Sequence, residues 1–342
     1  MGQLQTEFKT DVRHAFTVSL YQSRFISLAL SVSLLAPALA GAQAQSYPSR
    51  PIRMVVPTSP GGVTDTAARA VAPQLAEALG QPIVVDNRAG AGGILGTDTV
   101  AKAAPDGYTL LAVFDSFVSN PHVFRSAPYD VVQDFAPVSL MILGPQLFVV
   151  HPTLGIRTFG EFLPLAKSRR APLNYATAGA ATSSRLSVEL FKLTAGVDAT
   201  LVHYKGGGPA LNDLLGGHVE AMIASAGLVL PHVKTGRLTA LAVTSKSRSA
   251  LVPGVPAVSE FFPQFEAQSW VGVLAPARTP RAVIQRLNAE VIKVLAAPEQ
   301  KERFTGLGYE IVGSTPEQFG AWIRNETAKW GKLIRERGIT AE

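Results

Sequence analysis

Residues 52–79 read IRMVVPTSPGGVTDTAARAVAPQLAEAL. A short apolar run, Ile52 with Met54, Val55 and Val56, has the composition of a buried strand. A Pro-containing loop with the pair Gly61-Gly62 follows, and Val63, Ala67, Val71, Leu75 and Leu79 then recur at near-helical spacing. Strand, glycine loop and helix in that order aim free backbone N–H groups and the positive end of a helix dipole at an anion. Thr64 and Asp65 fall where a cap or first-turn residue belongs, and Gly61 and Gly62 let a ligand approach the backbone. An ordinary strand-to-helix turn accounts for the same residues, because Gly and Pro are common there. The weight between the two readings comes from the rest of the chain.

With 342 residues, 47% of them hydrophobic, the chain can bury a large core and has the length of about two domains. Thirty Gly and 24 Pro fit a loop-rich α/β protein. The net charge of +6 is modest and its Lys and Arg are scattered. The one dense basic cluster, 167–170, reads as a solvated helix end, and no aromatic–basic groove pattern points to nucleic acid. At the N-terminus, Arg13 and Arg24 precede an apolar run from Phe25 to Ala40, with small-residue sites at Ala38-Leu39-Ala40 and Ala42-Gln43-Ala44. That is the pattern of a secretory signal peptide over 1–44, cleaved near Ala40 or, by preference, Ala44. As a membrane span the run falls short of the ~20 residues required, and Pro37 interrupts it. With no Cys anywhere, neither a lipid anchor nor a disulfide is available, and the expected location is the periplasm.

From Tyr47 to Val150 strand, loop and helix repeat: Pro82–Asp86 is a second strand, Gly90–Gly93 opens a short helix, and Tyr108–Val113 is a third strand. Asp115, Ser116 and Asn120 fall in the loop after it. Leu147–Val150 reads as a crossing into a second unit, and Ser269–Ala275 as the return. Between them, strands at 173–177, 200–203, 219–223 and 238–244 alternate with helices. A last helix opens at Thr315-Pro316-Glu317 and carries Phe319, Ile323, Trp330 and Ile334 on one face. The pattern predicts two α/β lobes, 45–149 plus 270–342 and 150–269, each a mostly parallel sheet flanked by helices. A cleft would lie between them, at the carboxyl ends of the strands.

Both lobes then bring small-residue loops and helix starts to that cleft: Gly61, Gly62, Thr64 and Asp65 from one, Gly179, Thr182, Ser183 and Ser184 from the other. Backbone N–H groups and hydroxyls suit carboxylates without a buried cation, although plain helix capping explains Thr182–Ser184 as well. Gly90–Gly96 has the spacing G-x-G-x-x-x-G, one residue off a dinucleotide fingerprint. Residues 223–227 (IASAG) resemble a nucleophile elbow around Ser225 only loosely, because Ile stands where the first Gly belongs. Six His without an H-x-x-x-H pair, and no Cys, give no zinc site. No catalytic constellation, cofactor or metal is expected; a secreted α/β hydrolase using Ser225 is the alternative.

Several stretches are similar to one family. Tyr47-Pro48-Ser49-Arg50-Pro51-Ile52, Pro60-Gly61-Gly62 with Asp65, Asn87-Arg88 with Gly90-Ala91-Gly92-Gly93, Pro105-Asp106-Gly107-Tyr108, Tyr204-Lys205-Gly206 and Gly313-Ser314-Thr315-Pro316-Glu317 resemble, in collinear order, the Bug-family receptors of tripartite tricarboxylate transporters. The resemblance implies a Venus-flytrap fold of two lobes and capture of a small carboxylate between them. It implies contacts from Thr58, Ser59, Pro60, Gly61, Gly62, Asp65, Gly90, Ala91, Gly92 and Gly93 in one lobe. In the other it implies Ala178, Gly179, Thr182, Ser183 and Ser184. Ser116 and Ser225 complete the candidate set. The implied partners are membrane permease subunits or a sensor protein, with the receptor itself a monomer. Many relatives carry an acidic residue and Asn after the strand matching 219–223, a partner for a ligand amino group; here Ala224-Ser225 stands there. That departure predicts a ligand without a required ammonium group, and Phe114 and Phe117 would suit its apolar body, though core packing explains them equally.

Overall fold

The computed structural model describes residues 47–168, 170–204 and 206–341. Residues 1–44, read from the sequence as a signal peptide, and Lys205 lie outside the described residues. Arg50–Glu342 forms one compact unit; of the other, Met1–Ser49, only 47–49 are described. In chain order the elements are β1 (Ile52–Val56), α1 (Val63–Leu79), β2 (Ile83–Asn87), α2 (Ile94–Ala101), β3 (Thr109–Phe114) and α3 (Ser116–Val123). Then come β4 (Phe135–Val150), α4 (Phe159–Ser168), β5 (Leu173–Thr177), α5 (Ser183–Ala195), β6 (Ala199–His203) and α6 (Gly207–Leu215). The chain continues with β7 (Ala221–Ser225), α7 (Ala226–Lys234), β8 (Thr239–Val243), β9 (Gln268–Pro276) and α8 (Arg281–Leu295). It ends with α9 (Pro298–Gly306), β10 (Glu310–Ile311) and α10 (Pro316–Arg337).

The strands run in the order β2-β1-β3-β9-β4-β7-β5-β6, with β8 and β10 also pairing with β4. The outer pairs β1·β2, β1·β3, β5·β6 and β5·β7 are parallel, as the alternating pattern predicts. The centre is antiparallel, because β9 returns against both β3 and β4, and β4 opposes β7 and β8. β4 spans 16 residues, far longer than the four at its end that read as a crossing. Gly144 and Pro145 break its apolar run, and there it changes neighbours: 135–145 pair with β9, 146–150 with β7.

Buried side chains follow the apolar periodicity. On α1 they are Ala67, Val71, Leu75 and Leu79 among others, while Gly80 ends the helix in the left-handed region at φ 69°. Phe148 on β4 anchors the aromatic core beside β5, with ring centroids 5.0 Å from Phe162 and 5.1 Å from Phe191. α10 buries Phe319, Ile323, Trp330 and Ile334. The loop predicted after β3 is instead the helix α3. α9, read as no element, is a polar helix burying only Gln300 and Phe304, too few apolar positions to make a period.

Candidate functional site

A cavity of about 520 Å³ opens where four helices begin. Its wall includes Gly62, Val63 and Thr64 at the start of α1, Thr182, Ser183 and Ser184 at α5, Gly207 and Gly208 at α6, and Ser225 and Gly227 at α7. None of the N-cap residues, Gly62, Thr182, Gly206 and Ser225, closes its helix with a side-chain hydrogen bond. The Thr182 hydroxyl donates to Gly179 O at 2.9 Å, and Ser184 Oγ donates to Ile223 O at 2.7 Å. First-turn N–H groups therefore stay without side-chain caps at each of these starts, and their dipoles favour negative charge.

The rest of the wall comes from the centre and the C-terminal segment. Ile142 stands on β4, Ser269, Trp270 and Val271 on β9, and Phe304, Leu307 and Tyr309 on and after α9. Phe114 ends β3, and Asp115 follows it at the N-cap of α3. Three buried polar atoms on wall residues, Thr58 Oγ1, Trp270 Nε1 and the Tyr309 hydroxyl, have no hydrogen-bond partner among the described residues. Orphaned donors of this kind beside a cavity are what a polar ligand satisfies. Burial pushes the Tyr309 phenol up from its ordinary range, with the Ser225 hydroxyl beside it pulling the other way.

Of the candidates from sequence, the cavity brings together Thr58, Gly61, Gly62, Thr64, Ala178, Thr182, Ser183, Ser184 and Ser225. Ser59 and Pro60 are exposed on the loop beside it, and Gly179 braces the second loop by accepting the Thr182 hydroxyl. Asp65 is turned inward. Its carboxylate accepts hydrogen bonds from Gly61 N at 2.9 Å, Arg69 Nε at 2.9 Å and Asn87 Nδ2 at 2.9 Å. Burial alone would raise its pKa; those donors and the Arg69 charge hold it below the ordinary value. Asp65 shapes the Gly61 loop and is not part of the cavity wall.

Gly90, Ala91, Gly92 and Gly93 form a tight turn off the cavity wall, with Gly93 against Pro57 and Phe114. Gly92 O accepts from Asn120 Nδ2 at 3.0 Å, and Ser116 is buried beside the same carbonyl. Gly96 explains the spacing: a Cβ there would sit 2.7 Å from Arg88 O and 2.8 Å from Pro57 Cα. At Gly96 the backbone itself leaves no room, while Gly90 and Gly92 take positive φ values of 139° and 66°. Phe114 lines the cavity, whereas Phe117 is core, its ring 5.2 Å from that of Phe135. Asp115, which the sequence places after the third strand without giving it a role, is on the wall, as are Gly207, Gly208, Ser269, Trp270 and Tyr309, which sequence reasoning did not offer as contacts.

Comparison with known proteins gives a consistent picture. The model of the tripartite tricarboxylate transporter family receptor matches residues 67–339. Protein BugT of Bordetella pertussis is 40% identical over 298 residues, covering 86% of this chain and 91% of BugT. Among solved structures, R. palustris Rpa4515 with adipate superposes with a TM-score of 0.79 at 33% identity, over 86% of this chain and 99% of that one. MatC from Rhodopseudomonas palustris with bound malate does so with a TM-score of 0.75 at 32% identity, over 84% of this chain and all (100%) of that one.

Proposed function

The chain belongs to the tripartite tricarboxylate transporter receptor family, and from that premise we propose that it captures a small carboxylate-containing solute for a membrane permease. The observation that carries this reading is the convergence of helix starts without side-chain caps on one cavity. A carboxylate placed there accepts backbone N–H bonds and offsets the helix dipoles, as an anion does at any helix N-terminus. The adipate and malate in the two R. palustris structures agree with it. Members of this family are receptors rather than enzymes, and Ser225 as a nucleophile has no support: it is the N-cap of α7, beside the Tyr309 phenol.

The reading includes two lobes, 45–149 plus 270–342 and 150–269, that close on the solute, with β4 and β9 as the crossings. It includes export by the N-terminal signal segment with cleavage near Ala40 or Ala44, action as a monomer, and delivery to permease subunits or a sensor protein. A thermal-shift screen of protein unfolded and refolded to remove bound solute tests it. A carboxylate at 100 times its Kd adds about 2.7 kcal/mol, several degrees for a chain of this size. Thr64→Val with Ser183→Ala should shrink that shift. Stabilisation by NADH alone, or by no carboxylate, would overturn the receptor reading.

A further inference from the structure

Among the described residues of the cavity wall, the one charged side chain is an acid. Asp115, the residue between β3 and α3, has its Oδ2 3.1 Å from Ser269 Oγ, which donates to it. The Ser183 hydroxyl and the Ser116 N–H donate as well. These donors come from the return strand β9, the first turn of α5 and the first residue of α3, so three separate segments hold one carboxylate at the cavity. A carboxylate accepts about four hydrogen bonds, which leaves capacity toward the cavity. The other titratable groups facing it, Glu326 of α10 and Tyr309, supply no positive charge. No ion pair within the described residues involves Asp115.

A purely structural acid would gain from a cation, and this one has none described beside it. Phe114, the chain neighbour of Asp115, adds an aromatic ring to the same wall, and such rings attract cations. The cavity therefore pairs two opposite preferences: helix N-termini for a negative group, and Asp115 beside Phe114 for a positive one. Resting on the receptor reading above, we propose that Asp115 is the specificity residue of this site, and that the solute is a carboxylate also bearing a cationic nitrogen. A second carboxylate at Asp115 would meet a like charge in a poorly solvated wall. The sequence sought the ammonium partner at 224–225 and found Ala224-Ser225; β3 delivers an acid to the same cavity instead.

The test is calorimetric titration of the full mature chain with matched pairs, such as 6-aminohexanoate against adipate, 4-aminobutanoate against succinate, and glutamate against glutarate. Betaine against acetate extends the panel to a quaternary nitrogen. The proposal expects at least one cationic member to bind tenfold or more tightly than its partner. Asp115→Asn should remove that preference, Asp115→Ser should do the same, and both variants should keep the wild-type far-UV circular dichroism. Binding of dicarboxylates or plain carboxylates with equal or greater affinity, or a preference unchanged in both variants, would overturn the proposal and leave the receptor reading standing. No binding by any member would count against both.

Discussion

Asp115 is a residue whose place costs the empty protein stability. Burial lifts its carboxyl from 3.8 to about 6, against the hydrogen bonds from Ser183 and Ser269 that pull it down. Because the folded value lies above the unfolded one, the penalty is absent below about pH 4, grows as pH rises, and is complete above about pH 6. A shift of that size corresponds to roughly 2–3 kcal/mol. Asp115→Asn should therefore raise Tm by several degrees at pH 7.5 and leave it nearly unchanged at pH 3.5, read by scanning calorimetry without ligand. An equal change at both pH values would mean the side chain acts through packing. The sequence placed this residue in the loop after the third strand but could not give it a role: FDSF has no spacing signature, and Ser269 stands 154 positions away. Thr64, Thr182 and Ser183 were legible because helix starts have local grammar. Asp65 shares that grammar, and its inward turn follows from Arg69 and Asn87, which no helix-start pattern specifies.

Between elements, the contrast is in how helices begin. α10, outside the cavity wall, is closed reciprocally: Thr315 Oγ1 accepts from Gln318 N at 3.2 Å, and Gln318 Oε1 accepts from Thr315 N at 2.9 Å. Thr315→Ala should cost about 1 kcal/mol, a Tm loss of roughly 2–4 °C, with no change in ligand affinity. The α2 start is set by close packing, so Gly96→Ala should destabilise by about 1–3 kcal/mol, measured by urea unfolding, since Arg88 O and Pro57 Cα are backbone atoms that yield little. Helices and outer strands were legible from periodicity because each buries one face. β4 was not, because Gly144-Pro145 imitates a turn between two short strands. Gly144 is needed instead for the Tyr309 ring, whose Cδ1 would lie 2.7 Å from a Cβ.

For the whole molecule, several contacts outside the cavity tie the two strand blocks. Ser119 Oγ donates to Ala181 O at 3.1 Å, Arg185 Nη1 to Thr340 O at 2.8 Å, and Arg337 Nε lies 3.4 Å from Glu189 Oε2. If the lobes close on a solute, these ties favour the closed form, and Arg185→Ala with Arg337→Ala should raise Kd several-fold while leaving every cavity residue in place. Calorimetry gives the affinity, and small-angle scattering should show a larger radius of gyration for the unliganded variant. An unchanged Kd would separate those contacts from binding.

The return strand β9 also fixes an order of assembly. β3 has β1 on one edge and β9 on the other, so the first block lacks a central partner until residues 268–276 have emerged. The block built on 146–267 is contiguous in sequence, because β5, β6, β7 and β8 all pair with one another or with the end of β4. Local closure is entropically cheaper than joining strands as far apart in sequence as Leu111 and Leu274. During refolding the middle of the chain should gain protease resistance first, and its two ends together and later. A nascent chain of this topology can pair β1 with β2 and β3 early, but it keeps the far edge of β3 open until β9 has been made, so the N-terminal block stays incomplete through most of synthesis, a condition in which a polypeptide can still be threaded across a membrane.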